Sequence, residues 1–206
     1  LDGDYVLQPG FTLTSGGLSV GVWSNFDTAQ NDSLNSTETD TIVSYTKGFE
    51  GLRVLGKDLN KVNVSVGHTY YDFPGSNGFS REYFLGLGYE TFLAPTLTWY
   101  HDYGVERKGG GRGDYYVLGA GHSLSLVESY GVTLDLAGHV GYNKDLFMRG
   151  EGGDYAGKVG VTVPLTKSLS VSPSVNYSVP FGSLAEASRG NQKEEFFWGV
   201  GLAANF

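Results

Sequence analysis

The residues of this chain alternate, and that constrains the fold more than any other feature. From Leu169 to Val179, Leu169, Val171, Pro173, Val175, Tyr177 and Val179 are separated one by one by Ser170, Ser172, Ser174, Asn176 and Ser178. Successive side chains of a strand point to opposite faces, so this run has one oily face and one small, polar face. The run from Glu195 to Phe206 repeats the arrangement, with Phe196, Trp198, Val200, Leu202, Ala204 and Phe206 set against Phe197, Gly199, Gly201, Ala203 and Asn205. Within 155–165, Val159, Val161 and Val163 alternate with Lys158, Gly160 and Thr162; within 132–142, Leu134 and Leu136 alternate with Thr133, Asp135 and Ala137. The same reading predicts strands over 5–14, 18–26, 40–49, 61–72, 81–92, 96–106 and 114–126. A helical reading fails because Gly and β-branched residues recur inside each segment and no 3.6-residue stripe appears.

The connections alternate as well. Ser15-Gly16-Gly17, Leu93-Ala94-Pro95, Val127 to Tyr130 and Thr166-Lys167-Ser168 are short. Those at 27–39, 73–80, 107–113, 143–153 and 180–193 are longer and polar. Short turns at one end and long loops at the other are the pattern of an outer-membrane barrel, with the short turns periplasmic. The segment 50–60, with Gly51, Gly56, Lys57, Asp58 and Asn60, is a longer turn on the short side. Tyr5, Phe26, Tyr83, Phe92, Tyr103, Tyr115, Tyr142, Tyr155, Phe196 and Phe206 gather at segment ends. That favours aromatic girdles at two interfaces over the mixed aromatic core of a soluble sandwich.

Composition agrees with spaced rather than bunched apolar residues. They make up 40% of the 206 residues, and a further 32 residues are Gly. Mean hydropathy is -0.18, which does not exclude a membrane protein because alternating strands average out. No apolar run approaches the roughly 18 residues of a spanning helix. Leu1-Asp2-Gly3-Asp4 is polar, so no signal peptide is expected in this stretch. There is no Cys, hence no disulfide or thiol chemistry. A formal net charge of -8 argues against a nucleic-acid partner.

The expected fold is an all-β, antiparallel up-and-down transmembrane barrel forming a single domain over 1–206. About eleven strands are visible and an even number is required, so about twelve are expected, with one N-terminal strand missing. A barrel of this size has a narrow lumen. Its lining, from the period of two, comprises Gln8, Asn63, Glu90, Asp102, Glu106, Asp135, His139, Lys158 and Asn176. Acidic groups outnumber the one Lys, which favours cations and neutral polar solutes over anions. Neutralising Glu90, Asp102 and Asp135 together is expected to reduce that preference. The opposing possibility is that these groups pair with one another and plug the barrel.

Three stretches resemble the TorF-type porins, a Gram-negative outer-membrane family. They are Leu7-Gln8-Pro9-Gly10-Phe11 through Gly17 to Asp27, then Tyr70-Tyr71-Asp72-Phe73-Pro74-Gly75 with Glu82 to Tyr89, and the last strand ending in Phe206. The resemblance implies a barrel in the outer membrane, surrounded by lipid bilayer and lipopolysaccharide. It also implies that Phe206 looks like the terminal aromatic read by the barrel-assembly machinery. The family has a further strand upstream of the first stretch, absent here.

No cofactor, metal or catalytic group is expected. His68, His101 and His122 fall on oily faces, and a metal site would need them to converge. The sequence has no Gly-x-Ser-x-Gly elbow and no His-Glu-x-x-His. Lys108 to Gly113 lacks the Gly-Lys-Ser/Thr ending of a phosphate loop. The expected function is passive diffusion of small hydrophilic solutes or cations. Two alternatives are carried: a non-conducting barrel acting as adhesin or assembly scaffold through loops 27–39 and 180–193, and a rim hydrolase built on Asp102, Glu106 and Asp114. No stripe marks a subunit face, so a homo-oligomer stays open.

Overall fold

A computed structural model describes residues 5–28, 34–49, 53–54, 57–58, 60–76, 78–104, 112–188 and 190–206. Its elements are β1 (Val6–Leu7), β2 (Gly10–Ser15), β3 (Leu18–Asp27), β4 (Asn35–Gly48), β5 (Arg53–Val54), β6 (Lys57–Asp58), β7 (Val62–Phe73), β8 (Gly78–Tyr89), β9 (Thr96–Asp102), β10 (Gly113–Val127), β11 (Val132–Lys144), β12 (Glu151–Pro164), β13 (Leu169–Gly182) and β14 (Glu195–Ala204). Among the described residues there are also two 3-10 turns, Pro74–Ser76 and Glu128–Tyr130.

Twelve of these segments form one sheet, in which β1 and β2 both pair with β3 and the others follow in chain order from β3 to β14. β5 and β6 form a separate two-stranded hairpin within the 50–60 turn. The registers of β3 with β4, β4 with β7, and β11 through β14 are all antiparallel, as an up-and-down connection dictates.

β1 and β2 are one strand in two pieces. Leu7 faces Phe26 and Gly10 faces Trp23, so the register runs through Gln8 and Pro9 without a slip. Proline has no N–H, and the ladder is interrupted there while Ser24 N still donates to Pro9 O at 3.0 Å. The twelve segments are therefore eleven antiparallel passes, the number visible in the sequence. The hairpin between β2 and β3 closes on Gly16 and Gly17 at φ +58° and +87°. Both central residues of such a two-residue turn need positive φ, and glycine takes it without strain.

The strands outrun the alternating hydrophobic pattern at the long-loop end. β4 begins at Asn35 rather than residue 40, β11 reaches Lys144, β12 begins at Glu151 and β13 reaches Gly182. The extra residues are mostly polar or Gly, and their backbones keep pairing: Asn35 faces Asp27, and Lys144 faces Glu151. The connections expected at 27–39 and 143–153 are correspondingly shorter. β9 ends at Asp102, short of the expected 106.

The burial pattern is inverted relative to a water-soluble core. Among the described residues, Leu184 is the only buried large apolar side chain, whereas Asn25, Asp40, Thr69, Ser80, Glu82, Asp102, Asn143 and Ser183 are buried. Oily faces are exposed: Trp198 at 73%, Leu202 at 74% and Phe196 at 69%. Tyr5, Tyr83, Phe92, Tyr142, Tyr155 and Phe206 are exposed as expected of girdles. Phe26, Tyr103 and Tyr115 are instead half-buried, and Tyr115 packs on Tyr100 and Phe147, at 6.2 and 4.8 Å between ring centroids.

The chain divides into two compact units. One comprises Leu1–Leu87, Thr98–Tyr115 and Asp145–Phe147; the other comprises Gly88–Leu97, Tyr116–Lys144 and Met148–Phe206. In the second, Leu136, Val159, Val175 and Trp198 stand directly opposite one another across four strands, forming a continuous apolar row. The next row, Asp135, Gly160, Ser174 and Gly199, is small and polar and faces the other way. Leu184 and Ser183 lie at the long-loop end of this unit. There Asn143 donates through Nδ2 to Met148 O and Gly150 O, at 3.1 and 3.2 Å.

Candidate functional site: the polar faces

The polar face of the first unit carries a line of carboxylates. Asp40 on β4 stands directly opposite Tyr71 on β7. Tyr71 OH donates to Glu82 Oε1 at 3.0 Å. Asp40 lies within the electrostatic reach of Glu38 and Glu82, and Glu82 within that of Asp102. Asp102 accepts from Ser80 Oγ and, at 2.6 Å, from the backbone N–H of Gly104. Asp40 Oδ1 is buried without a hydrogen-bond partner. Carboxylates this close repel one another unless a cation or proton sits among them. No metal-ligating group of three or more His, Asp or Glu occurs among the described residues.

Bulky rings share this face. A Cβ added to Gly67 would fall 2.2 Å from Cζ of Phe84, so the ring lies directly over that glycine. Phe84 in turn packs on Tyr100, with centroids 5.9 Å apart. Gln8 donates through Nε2 to Asn25 Oδ1 at 2.9 Å, and Asn25 Nδ2 donates to Thr37 Oγ1 at 2.7 Å, a chain of amides and a hydroxyl across three strands. Asn63 faces Gly48 and is half-buried.

The second unit's polar face is smaller in texture. Ser172 stands opposite Gly201, and Ser174 opposite Gly199, where an added Cβ would meet nothing within 4 Å. Asp135 is held by three hydroxyls: Ser123 Oγ at 2.6 Å and Thr133 Oγ1 at 3.1 Å on Oδ1, and Thr162 Oγ1 at 2.6 Å on Oδ2. Lys158 is exposed, stands between Ala137 and Asn176, and adds its charge to Asp135. His139 Nε2 is 2.8 Å from Asp154 Oδ2. A cavity of about 620 Å³ opens beside these groups, lined by Thr96, Gly119, Gly121, Ser123, Asp135 and Lys158 among others.

The residues expected to line a lumen thus divide. Asp102, Asn63 and Gln8 lie in the first unit; Asp135, His139, Lys158 and Asn176 lie in the second. Glu90 follows the end of β8 and is exposed at the short turn. Glu106 lies outside the described residues. The buried acids Asp40 and Glu82 were not anticipated, although Glu82 has the same parity as Glu90 and so falls on the same face.

Among the described residues, the other candidates named in the sequence are spread over separate contacts. Asp114 Oδ1 accepts from Trp99 Nε1 at 2.8 Å and lies 3.0 Å from His101 Nδ1. Trp99 and His101 alternate with Asp102 along β9, so the two described acids of a rim hydrolase serve opposite faces. Each His named as a metal candidate has its own neighbour: His68 bonds Tyr103 OH, His101 meets Asp114, and His122 packs on Phe92 with centroids 3.9 Å apart.

Comparison with models of known protein families finds none that matches the chain, and comparison with curated proteins finds no match.

Proposed function

We propose that this chain is a transmembrane β-barrel of the Gram-negative outer membrane, and that small hydrophilic solutes and cations diffuse passively along its polar inner wall. The inverted burial carries the reading. A soluble monomer rarely exposes a contiguous apolar patch beyond a few hundred Å². Here the apolar face of β11 to β14 is exposed from Leu136 to Trp198, while acids and amides are buried. Lipid is the solvent in which exposed apolar faces are stable, and the pairing of neighbouring strands from β3 to β13 satisfies their backbone groups within the sheet. The resemblance to TorF-type porins points the same way.

The mechanism needs no catalyst. Ser, Gly and Asn on the polar face of β12 to β14 supply hydrogen-bonding partners without bulk. The carboxylates of Asp40, Glu82 and Asp102 set the sign of what enters, by attraction at close range. A second reading, a non-conducting barrel that serves as adhesin or scaffold, is favoured by one observation: Phe84 and Tyr100 occupy the polar face of the first unit.

Single-channel recording in a planar bilayer under a salt gradient tests both. Stable steps with a cation-selective reversal potential are expected, and Asp40→Asn with Glu82→Gln is expected to shift that potential toward zero. Silence from protein shown to be folded and inserted rejects the channel in favour of the filled barrel.

A further inference from the structure

The one charged side chain on the apolar face of β8 is Arg81, which alternates with Phe79, Tyr83, Leu85, Leu87 and Tyr89. It is the fourth residue of the strand, at the long-loop end. Its guanidinium carbon lies 5.6 Å from the ring centre of Phe79 and 5.4 Å from that of Tyr103. Tyr103 stacks on exposed Tyr83 at 4.4 Å and is bonded to His68, so the slot is braced from β7. Arg81 Nε is buried and has no hydrogen-bond partner. Among the described residues Arg81 makes no ion pair, and Asp72, the acid on the same face of β7, is beyond ion-pair distance.

An unpaired arginine on a lipid-facing strand is costly at mid-bilayer and tolerated only near the interface. The aromatic slot offsets part of that cost through cation–π attraction, but it leaves hydrogen-bond donors unanswered. The slot also stands among exposed girdle tyrosines, at the level where lipid headgroups begin.

We infer that Arg81, Tyr83 and Tyr103 form a surface site for the phosphate of an outer-leaflet glycolipid. This inference rests on the membrane reading given above. The guanidinium supplies the charge and a planar fork that matches phosphate oxygens. The stacked tyrosines fix its direction, with Tyr103 itself held by His68. An acidic protein, with a net charge of -8, repels anionic headgroups elsewhere, so one oriented cation localises the contact.

The test uses the whole chain, refolded and purified in detergent, with native mass spectrometry as readout. Diphosphorylated lipid A and the same glycolipid stripped of phosphate are titrated in parallel, and flotation with vesicles is run on the same samples. The wild type is expected to retain the phosphorylated lipid about tenfold better, the size of one charge-assisted hydrogen bond. Arg81→Gln is expected to bring the two lipids to within about twofold, with Arg81→Lys between. If Arg81→Gln does not fold, the comparison of the two lipids on wild type carries the test alone. Equal retention by floated wild type overturns the lipid site and leaves the membrane reading standing. Competition by inorganic phosphate, at a similar affinity, overturns the lipid as the occupant. Failure to float with any vesicle overturns the membrane reading and this site with it.

Discussion

Val175 offers a sharp test of which solvent the apolar faces meet. It is the seventh of the fourteen residues of β13, stands between Val159 and Trp198, and is 42% exposed. Were that face in water, Val175→Arg would be an ordinary surface change, worth less than about 0.5 kcal/mol. In a bilayer the middle of a spanning strand lies near the midplane, where an arginine costs about 2–4 kcal/mol. Phe181, thirteenth of the same fourteen and 39% exposed, lies on the same face near the loop end. There Phe181→Arg is expected to cost about 0–1 kcal/mol. Urea unfolding in neutral vesicles, followed by the altered electrophoretic mobility of the folded barrel, reads both. Trp198 neighbours the substitution, so its fluorescence is not a neutral probe. A silent Val175→Arg in lipid, or equal losses in both variants, would show that this face does not meet lipid, since only lipid gives a dependence on depth.

Gly67→Val should lower stability by about 1–3 kcal/mol, because its Cβ meets the Phe84 ring and lies 2.8 Å from Val43 O; Phe84→Ala in the same chain should return part of the loss, measured by urea midpoint. Gly17→Ala should cost about 1–2 kcal/mol by the same assay, since φ is +87° and an added Cβ falls 2.5 Å from Thr46 O. Asp135→Asn should cost about 1–3 kcal/mol, because the amide keeps one neutral acceptor oxygen where Ser123, Thr133 and Thr162 donate to two charged ones, and it should shift the bilayer reversal potential less than Glu82→Gln does. Charge already matched by three hydroxyls and Lys158 has little left for a passing ion.

The alternation was legible almost to the residue where one face is uniformly apolar. In β13 every expected face position from Leu169 to Val179 agrees with the pairing. It fails at strand tops, where both faces turn polar and period two has nothing to count: Asn35, Ser36, Glu38 and Thr39 read as loop yet pair with β3 around a register shift at Thr37. The same lack of contrast leaves Asp40 at the very start of a strand and Asp154 just outside one, between the loop expected at 143–153 and the strand expected from 155, although it holds His139. Glu90 shows the converse error of parity without context. It shares a face with Glu82, but β8 ends at Tyr89 and only Glu82 is buried. Aromatic residues on the polar face, Phe84 and Tyr100, lie outside the rule altogether, because Phe84 packs over Gly67 of the neighbouring strand β7 and Tyr100 packs on Phe84.

Pro9 has an effect that depends on which way its missing donor points. Because Ser24 N bonds Pro9 O, and Thr28 N bonds Tyr5 O, the odd-numbered residues of the first strand direct their amides at β3. The lost N–H is therefore lost on the side already occupied. The even-numbered residues Val6, Gln8, Gly10, Thr12 and Thr14 turn their N–H and C=O groups to the other edge, and none of them is a proline. A proline on an edge strand is often a guard against unwanted pairing. This one guards nothing: the outer margin of the first strand keeps a full comb of donors and acceptors, ready to be zipped along its whole length by whichever strand is laid against it.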